Sequence, residues 1–341
     1  MILVTGGTGL VGSHLLWELT QTTNLPIKAT YRSEASKDPV LALFRWKAQG
    51  EKEAQQHFEK IDWVQADVTD VMALTNAFEN VDYVYHCAAL VSFNPKRLHE
   101  LQKINIEGTA NMVNLSLSCK VKKFCYVSSV AALGETENGV AVSEETHWDP
   151  NKENSVYSIS KYASEMEVWR GTQEGLDVVI VNPGVILGEG FYNSGSGKMF
   201  SQIAKGLKYC VSGSTGFVDV KDVVSAMLTL MASEIKNEGF ILVSENLKFK
   251  TLFDEISTKL GKKPPQNMLK SWQLNLAWRI DWFLNTFFGT RRRLTKSTAN
   301  SALTDTAYDS SKIEEQLFFK FTSIEESLDR IAAHFKSQLK N

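Results

Sequence analysis

The stretch that most restricts what this chain can become is Thr5–Gly12, TGGTGLVG, which follows the apolar run Ile2–Thr5 and leads into an amphipathic segment over Val11–Leu19. Gly6, Gly9 and Gly12 recur at every third position. A strand entering glycines at this spacing turns sharply and continues as a helix. Without side chains, the backbone there can approach an anion such as a pyrophosphate, which the unpaired N–H groups and dipole of the helix N-terminus favour. In the strand–turn–helix context the pattern predicts a dinucleotide site, with Gly6, Thr8, Gly9, Leu10, Val11 and Gly12 around the phosphates.

The rest of the first half repeats the same unit. Strands are predicted at Ile2–Thr5, Ile27–Tyr31, Ile61–Gln65, Tyr83–His86, Lys123–Ser128 and Val178–Asn182, rich in Val, Ile and Tyr and bounded by Gly, Asn, Asp or Ser. Helices are predicted near Val11–Leu19, Met72–Phe78, Leu98–Leu117 and Tyr157–Thr172, with an extra helical excursion over Leu41–Lys60. Such alternation implies an α/β fold, a doubly wound Rossmann-type parallel sheet covered on both faces. After Gly184 the glycines of Leu187–Lys198 predict a mobile loop, Gly216–Ala232 returns to strand then helix, and the chain from Phe249 reads as mostly helical. The expected division is a nucleotide-binding unit over 1–186, rejoined by 216–245, and a smaller helical cap from 187–215 and 246–341.

Of the 341 residues, 37 are Lys or Arg and 39 Asp or Glu, a net charge of −2 that argues against a broad nucleic-acid footprint. Cys87, Cys119, Cys125 and Cys210 have neither CxxC pairing nor metal-ligand spacing with His. They read as reduced thiols of a cytoplasmic protein, with no metal site. No apolar stretch reaches the ~18 residues of an integral membrane span, and the first residues make a poor signal peptide.

Cofactor choice is read at the end of the second strand, where a carboxylate would select NAD and repel a 2′-phosphate. Tyr31-Arg32 stands there instead, with Lys37 following, so NADP is expected over NAD. Asp67 and Val68, just past the third strand, fall where an adenine edge should lie; Asp67 has the alternative role of a helix N-cap, for which Asp70 competes. His86 reads as a packed strand residue, and the small residues after it let backbone approach a flat ring. In Tyr157-Ser158-Ile159-Ser160-Lys161 the Tyr and Lys share one helix face. An ammonium beside Tyr157 should lower its pKa and let it exchange a proton with a substrate oxygen, which Ser129 could also hydrogen-bond.

These segments, TGGTGLVG, YVSSVAALG, YSISK and NPGVILG in that order, resemble the extended short-chain dehydrogenase/reductase (NAD-dependent epimerase/dehydratase) family. Within it, Arg32, Val91-Ser92-Phe93, Phe217-Val218-Asp219-Val220 and Tyr308-Asp309-Ser310-Ser311-Lys312 are most similar to the dihydroflavonol reductase-like branch and its 3β-hydroxysteroid dehydrogenase relatives. The resemblance implies that Ser129, Tyr157 and Lys161 are catalytic, with Ser128 the alternative serine. Lys161 would also bind the nicotinamide ribose. Asn105 would support the active-site helix and a proton-relay water, or merely bond to backbone. Ala88, Ala89, Leu90, Val127, Pro183, Gly184 and Val185 would line the cofactor, and Val91, Ser92, Phe93 and Tyr192, with Ser129 and Tyr157, the substrate. Cys87 departs from the larger aliphatic residue frequent in the family. A homodimer through Leu98–Leu117 and Tyr157–Thr172 is also implied.

The expected activity is NADP-dependent reduction of a carbonyl on a hydrophobic small molecule, or oxidation of the alcohol. One alternative is a sugar-nucleotide epimerase or dehydratase with tightly held NAD, and another a non-catalytic dinucleotide-binding regulator. Trp272–Phe288 is strongly aromatic and could serve a membrane surface or an apolar substrate wall. Arg279 and Asp281 interrupt it, which favours a buried amphipathic helix. Arg291-Arg292-Arg293 reads as a solvated loop, or as a diphosphate contact in the sugar-nucleotide case.

Overall fold

A computed structural model describes residues 1–136, 139–288 and 295–339. Its strands are Ile2–Thr5 (β1), Ile27–Tyr31 (β2), Ile61–Gln65 (β3), Tyr83–His86 (β4), Lys123–Val127 (β5), Val178–Pro183 (β6), Val185–Leu187 (β7), Tyr209–Cys210 (β8), Ser214–Asp219 (β9), Glu238–Leu242 (β10), Glu245–Lys248 (β11) and Asn267–Met268 (β12). The helices are Leu10–Thr22 (α1), Asp38–Lys47 (α2), Glu51–Glu59 (α3), Val71–Ala77 (α4), Leu98–Leu101 (α5), Gly108–Ser118 (α6), Val156–Gln173 (α7), Lys198–Ala204 (α8), Val220–Ala232 (α9), Phe249–Leu260 (α10), Ser271–Phe288 (α11), Lys296–Ser301 (α12), Ser311–Leu317 (α13) and Ile324–Gln338 (α14).

Seven strands form one parallel sheet in the order β10-β6-β5-β4-β1-β2-β3. The strand order reverses beside β1, so a crevice opens beyond its carboxyl end, where Thr5 pairs with His86 of β4. Residues of β5 and β6 are buried along their whole length, because helices cover both faces. Leu15 and Leu16 of α1 and Val223 and Met227 of α9 pack with Val4, Cys125 and Val179. On the other face Met112 and Val113 of α6 and Val168 of α7 pack with Leu3, Val84, Phe124 and Val178. A third cluster joins Phe200 of α8, Leu252 and Ile256 of α10 and Leu328, Ile331 and Phe335 of α14.

The helical excursion expected over Leu41–Lys60 is present, as the two helices α2 and α3, while other expectations are corrected. The single helix expected over Leu98–Leu117 is interrupted by a wide π turn at Gln102–Glu107, which carries Asn105. After Gly216 the returning strand is β9, and it pairs with β7 and β11 in a small separate sheet while α9 and β10 join the main one. This second sheet can seat against the main one because Gly184 lacks a side chain: a Cβ there would lie 2.4 Å from the Gly216 carbonyl oxygen.

The glycine-rich loop is not loose over its first half. Glu189 is buried and its carboxylate accepts a 2.5 Å bond from Arg330, which also holds Asp219 through two bonds of 2.6 and 2.7 Å. Helix α11 is likewise not buried, since Leu274 is the one apolar residue among its described side chains that is enclosed. Arg291, Arg292 and Arg293 lie outside the described residues. Among those described, no helix is long and apolar enough to cross a membrane, and no group of His, Cys, Asp or Glu side chains could hold a metal ion.

Candidate active site

The glycine turn is tight because backbone crowds it. Gly6 has a φ of +68°, and a Cβ on it would stand 2.6 Å from the Ala88 nitrogen. A Cβ on Gly12 would lie 2.2 Å from the Gly6 carbonyl oxygen. Gly9 caps α1 with no side chain to occupy its first N–H groups, so the helix end remains available to an anion. Thr8, Leu10 and Val11 are partly exposed beside it, and Leu10 also packs beneath Gly188.

At the end of β2 the Arg32 guanidinium is exposed and makes no hydrogen bond or ion pair among the described residues. Lys37 is engaged: its ammonium lies 2.6 Å from the Glu34 carboxylate and 4.4 Å over the Tyr31 ring. Tyr31 also donates to Glu34 at 2.5 Å. Arg32 alone is therefore the uncommitted cation of this turn, and Glu34, which sequence reading passed over, takes up the second one. Past β3, Asp67 accepts from the Thr69 amide and hydroxyl at 2.9 and 2.8 Å, while Asp70 caps α4 through Ala73. The N-cap alternative for Asp67 thus falls to Asp70. Val68 is buried against Gly108, where a Cβ would lie 2.6 Å from it. A cradle that any Cβ would fill, an uncapped helix end and an unpaired guanidinium together fit a dinucleotide.

The loop after β4 is held from below. Asn105 accepts from the Leu90 amide at 2.7 Å and donates to the Leu90 carbonyl and the Ser160 hydroxyl, both at 3.0 Å. Its amide is committed to bracing that loop against α7. The loop itself carries Ala88, Ala89 and Leu90 at the crevice, then Val91, exposed, and Ser92, whose hydroxyl accepts from Asn94. Phe93 turns back so that its ring meets Tyr157 edge-on at 5.3 Å. His86 is buried, hydrogen-bonded through both nitrogens to Thr5 and Thr109, and held neutral with a pKa of about 3 by burial and by Lys161.

The two serines at the end of β5 have separate fates. Ser128 donates to buried Glu165 at 2.6 Å, and Asn182 and Trp169 donate to the same carboxylate at 2.8 and 3.2 Å. Ser129 is free of that carboxylate: its hydroxyl accepts from the Ala131 amide at 3.1 Å and acts on the neighbouring Tyr157 phenol, favouring its ionised form. Burial pushes the Tyr157 phenol up to about 12, with the neighbouring Ser129 hydroxyl offsetting part of the rise. The expected lowering by Lys161 is not found. That ammonium is drawn away, donating to the Tyr126 hydroxyl at 2.8 Å and the Val127 carbonyl at 3.0 Å. Burial brings Lys161 itself down to about 7, against the opposing charge of Glu165.

Glu165 and Tyr126 were not anticipated. Glu165 follows Lys161 by four residues on the same helix face, which was the available signal. Pro183 ends β6, Gly184 carries the close approach to Gly216, and Val185 opens β7. Tyr192, expected at the substrate, is instead in the core of the cap. Its hydroxyl lies 2.7 Å from His334 Nδ1 and 3.1 Å from the Ile331 carbonyl, with the Phe335 ring at 4.8 Å. The partners that bury it come from α14, about 140 residues later.

The model of the NAD-dependent epimerase/dehydratase family matches residues 2–242. The chain is 26% identical over 332 residues to a putative dihydroflavonol 4-reductase of Synechocystis sp., covering 95% of this chain and 91% of the relative. It is 31% identical over 259 residues to tetraketide alpha-pyrone reductase 2 of Arabidopsis thaliana, covering 72% and 78%. A solved UDP-glucose 4-epimerase of Thermotoga maritima shares the fold, with a TM-score of 0.75 and 21% identity over 99% of both chains.

Proposed function

The chain belongs to the NAD-dependent epimerase/dehydratase family and is an NAD(P)-dependent enzyme of the extended short-chain dehydrogenase/reductase type; from that premise we propose that it reduces the carbonyl of a hydrophobic small molecule with NADPH as cofactor. The observation that carries the reading is the buried Tyr157 phenol met edge-on by the Phe93 ring, with Ser129 as the neighbouring hydroxyl that acts on it. A phenol whose pKa is near 12 is protonated at neutral pH, so it is a donor to a carbonyl oxygen. Ser129 would hold that oxygen in line. Phe93 and Val91 would supply the apolar wall of the substrate mouth.

The dinucleotide would rest on Gly6, Thr8, Gly9, Leu10, Val11 and Gly12, with Arg32 beside a 2′-phosphate and Asp67 and Val68 beside adenine. When bound in reduced form it supplies the hydride. Lys161 would meet the nicotinamide ribose from its seat on Tyr126 and Val127, and Glu165 would balance its charge. Asn105 positions the loop and α7. Four cysteines without disulfide partners suit a reducing compartment such as the cytoplasm. Leu98 of α5 and Ile159 and Met166 of α7 are exposed apolar residues on the helices that would form a homodimer.

The test is oxidation of NADPH and NADH across apolar ketones, aldehydes and sugar nucleotides, repeated with Tyr157→Phe. We expect turnover of an apolar carbonyl with NADPH, falling by about 10²- to 10⁴-fold in the variant while NADPH affinity holds. Purified protein retaining stoichiometric NAD and acting on sugar nucleotides would move the assignment to the epimerase alternative. Full activity in Tyr157→Phe would end the proposed proton transfer.

A further inference from the structure

Among the described side chains of helix α11, most of the apolar ones face outward. Trp272, Leu276 and Ile280 follow at successive i, i+4 positions, and they and Trp282 are between 46 and 62% exposed. At the head of the helix, exposed Met268 and Tyr209 extend the same kind of surface across the β8–β12 pair. So many large apolar side chains in water on one element mark an interaction surface.

Charge identifies what it meets. Although the whole chain carries a net −2, residues 256–280 hold five Lys or Arg and no Asp or Glu. Lys262, Lys263, Lys270 and Arg279 are exposed, as are Lys205 and Lys208 leading into β8. The Arg279 guanidinium lies 4.8 Å from the Trp278 ring and donates to the Asn275 carbonyl at 2.8 Å, a charged head borne beside aromatic bulk. A second copy of the chain docking face to face on this surface would bring like charges together. A bilayer rich in anionic headgroups offers both an apolar layer for the Trp, Leu and Ile side chains and counter-charge for the lysines. Its described residues are not apolar enough to cross a membrane, so the helix would lie in the plane of the interface.

We propose that α11, with β8, β12 and the surrounding lysines, docks this protein on the surface of an anionic membrane. The experiment is sedimentation of the full chain with vesicles of phosphatidylcholine alone and of phosphatidylcholine mixed with phosphatidylglycerol, at low and high salt. Two variants accompany it: Trp272→Gln/Leu276→Gln/Ile280→Gln, and Lys262→Glu/Lys263→Glu/Lys270→Glu, each first shown to keep the wild-type thermal midpoint.

We expect the wild type to partition onto the mixed vesicles and to be released by salt. Each variant should lose about tenfold or more of that partition. The proposal is overturned if the wild type stays in solution with both vesicle types, or if the glutamine variant binds as well as the wild type. It is equally overturned if light scattering shows a dimer that the glutamine variant dissolves. None of these readings depends on the substrate or cofactor, so failure here leaves the reductase assignment standing.

Discussion

Lys161 offers the sharpest quantitative test, because its burial has a cost that pH can remove. The amine is 1% exposed and titrates near 7 instead of near 10.5. Between those values the unfolded chain holds a proton that the native protein has released, so stability rises with pH across the window, and below about pH 7 the penalty is present in full. At about 1.4 kcal/mol per pH unit the whole gap is worth about 5 kcal/mol, of which about 2 kcal/mol should be recovered between pH 7 and 9. Lys161→Met keeps the unbranched stem and removes the amine. It also leaves the Tyr126 hydroxyl and the Val127 carbonyl each short of a donor, at about 1–3 kcal/mol apiece. The two effects nearly cancel, so at pH 7 the variant should unfold in urea within about 2 kcal/mol of the wild type. The decisive quantity is the difference in pH slope, read by tryptophan fluorescence from pH 6 to 9. The wild type should gain about 2 kcal/mol over the variant between pH 7 and 9, while carbonyl reduction is lost in the variant. Parallel stability curves, or a variant weakened by about 5 kcal/mol at every pH, would refute the reasoning.

Three further substitutions probe the site and its surroundings. Gly12→Ala places a methyl 2.2 Å from the Gly6 carbonyl oxygen, where only backbone could yield. NADPH affinity, followed by fluorescence titration, should fall by about a hundredfold or more. Arg32→Glu should raise the KM for NADPH by about ten- to a hundredfold with far less change for NADH, since a charge-assisted contact would be replaced by repulsion; equal effects on both cofactors would remove Arg32 from the 2′-phosphate. Tyr192→Phe deletes the hydroxyl shared by His334 and Ile331, and should cost about 1 kcal/mol of stability while leaving substrate KM unchanged. A raised KM in that variant would put Tyr192 back at the substrate.

What could be read from sequence was what depends on local pattern. Strands buried on both faces, such as β5 and β6, appear as near-continuous apolar runs. The edge strand β3, exposed at Asp62 and Gln65, shows through its β-favouring residues and flanks. All of β1 to β6 lie within a residue or so of their expected ends. The glycine turn was legible because no other residue fits where Ala88 and Gly6 crowd Gly6 and Gly12. What failed was whatever depends on a distant partner. Tyr192 sits among glycines that suggest an open mouth, yet α14 closes over it. Arg279 and Asp281 made α11 look like a helix with one side in water. The structure puts Trp272 and Trp282 there as well, and among the described side chains of the helix Leu274 is the apolar one that is buried.

The active site shows the same division within a few residues. Tyr157 and Lys161 share a helix face, and from spacing alone the ammonium should act on the phenol. Yet a lysine Nζ reaches well beyond its own turn, and what it finds is set by β5. There the Tyr126 hydroxyl and the Val127 carbonyl stand at 2.8 and 3.0 Å and draw it off the phenol. Glu165, four residues on, then has two duties. It opposes the fall in the Lys161 pKa, and it takes the hydroxyl of Ser128 together with the amide of Asn182. That occupation is what leaves Ser129, of two adjacent serines, as the one free of the carboxylate and able to act on Tyr157. A single buried carboxylate thereby sorts the serines and steadies the lysine, and it looks in sequence like any solvated helix glutamate. The family resemblance favours Ser129 over Ser128, and the direction in which Glu165 points supplies the physical reason.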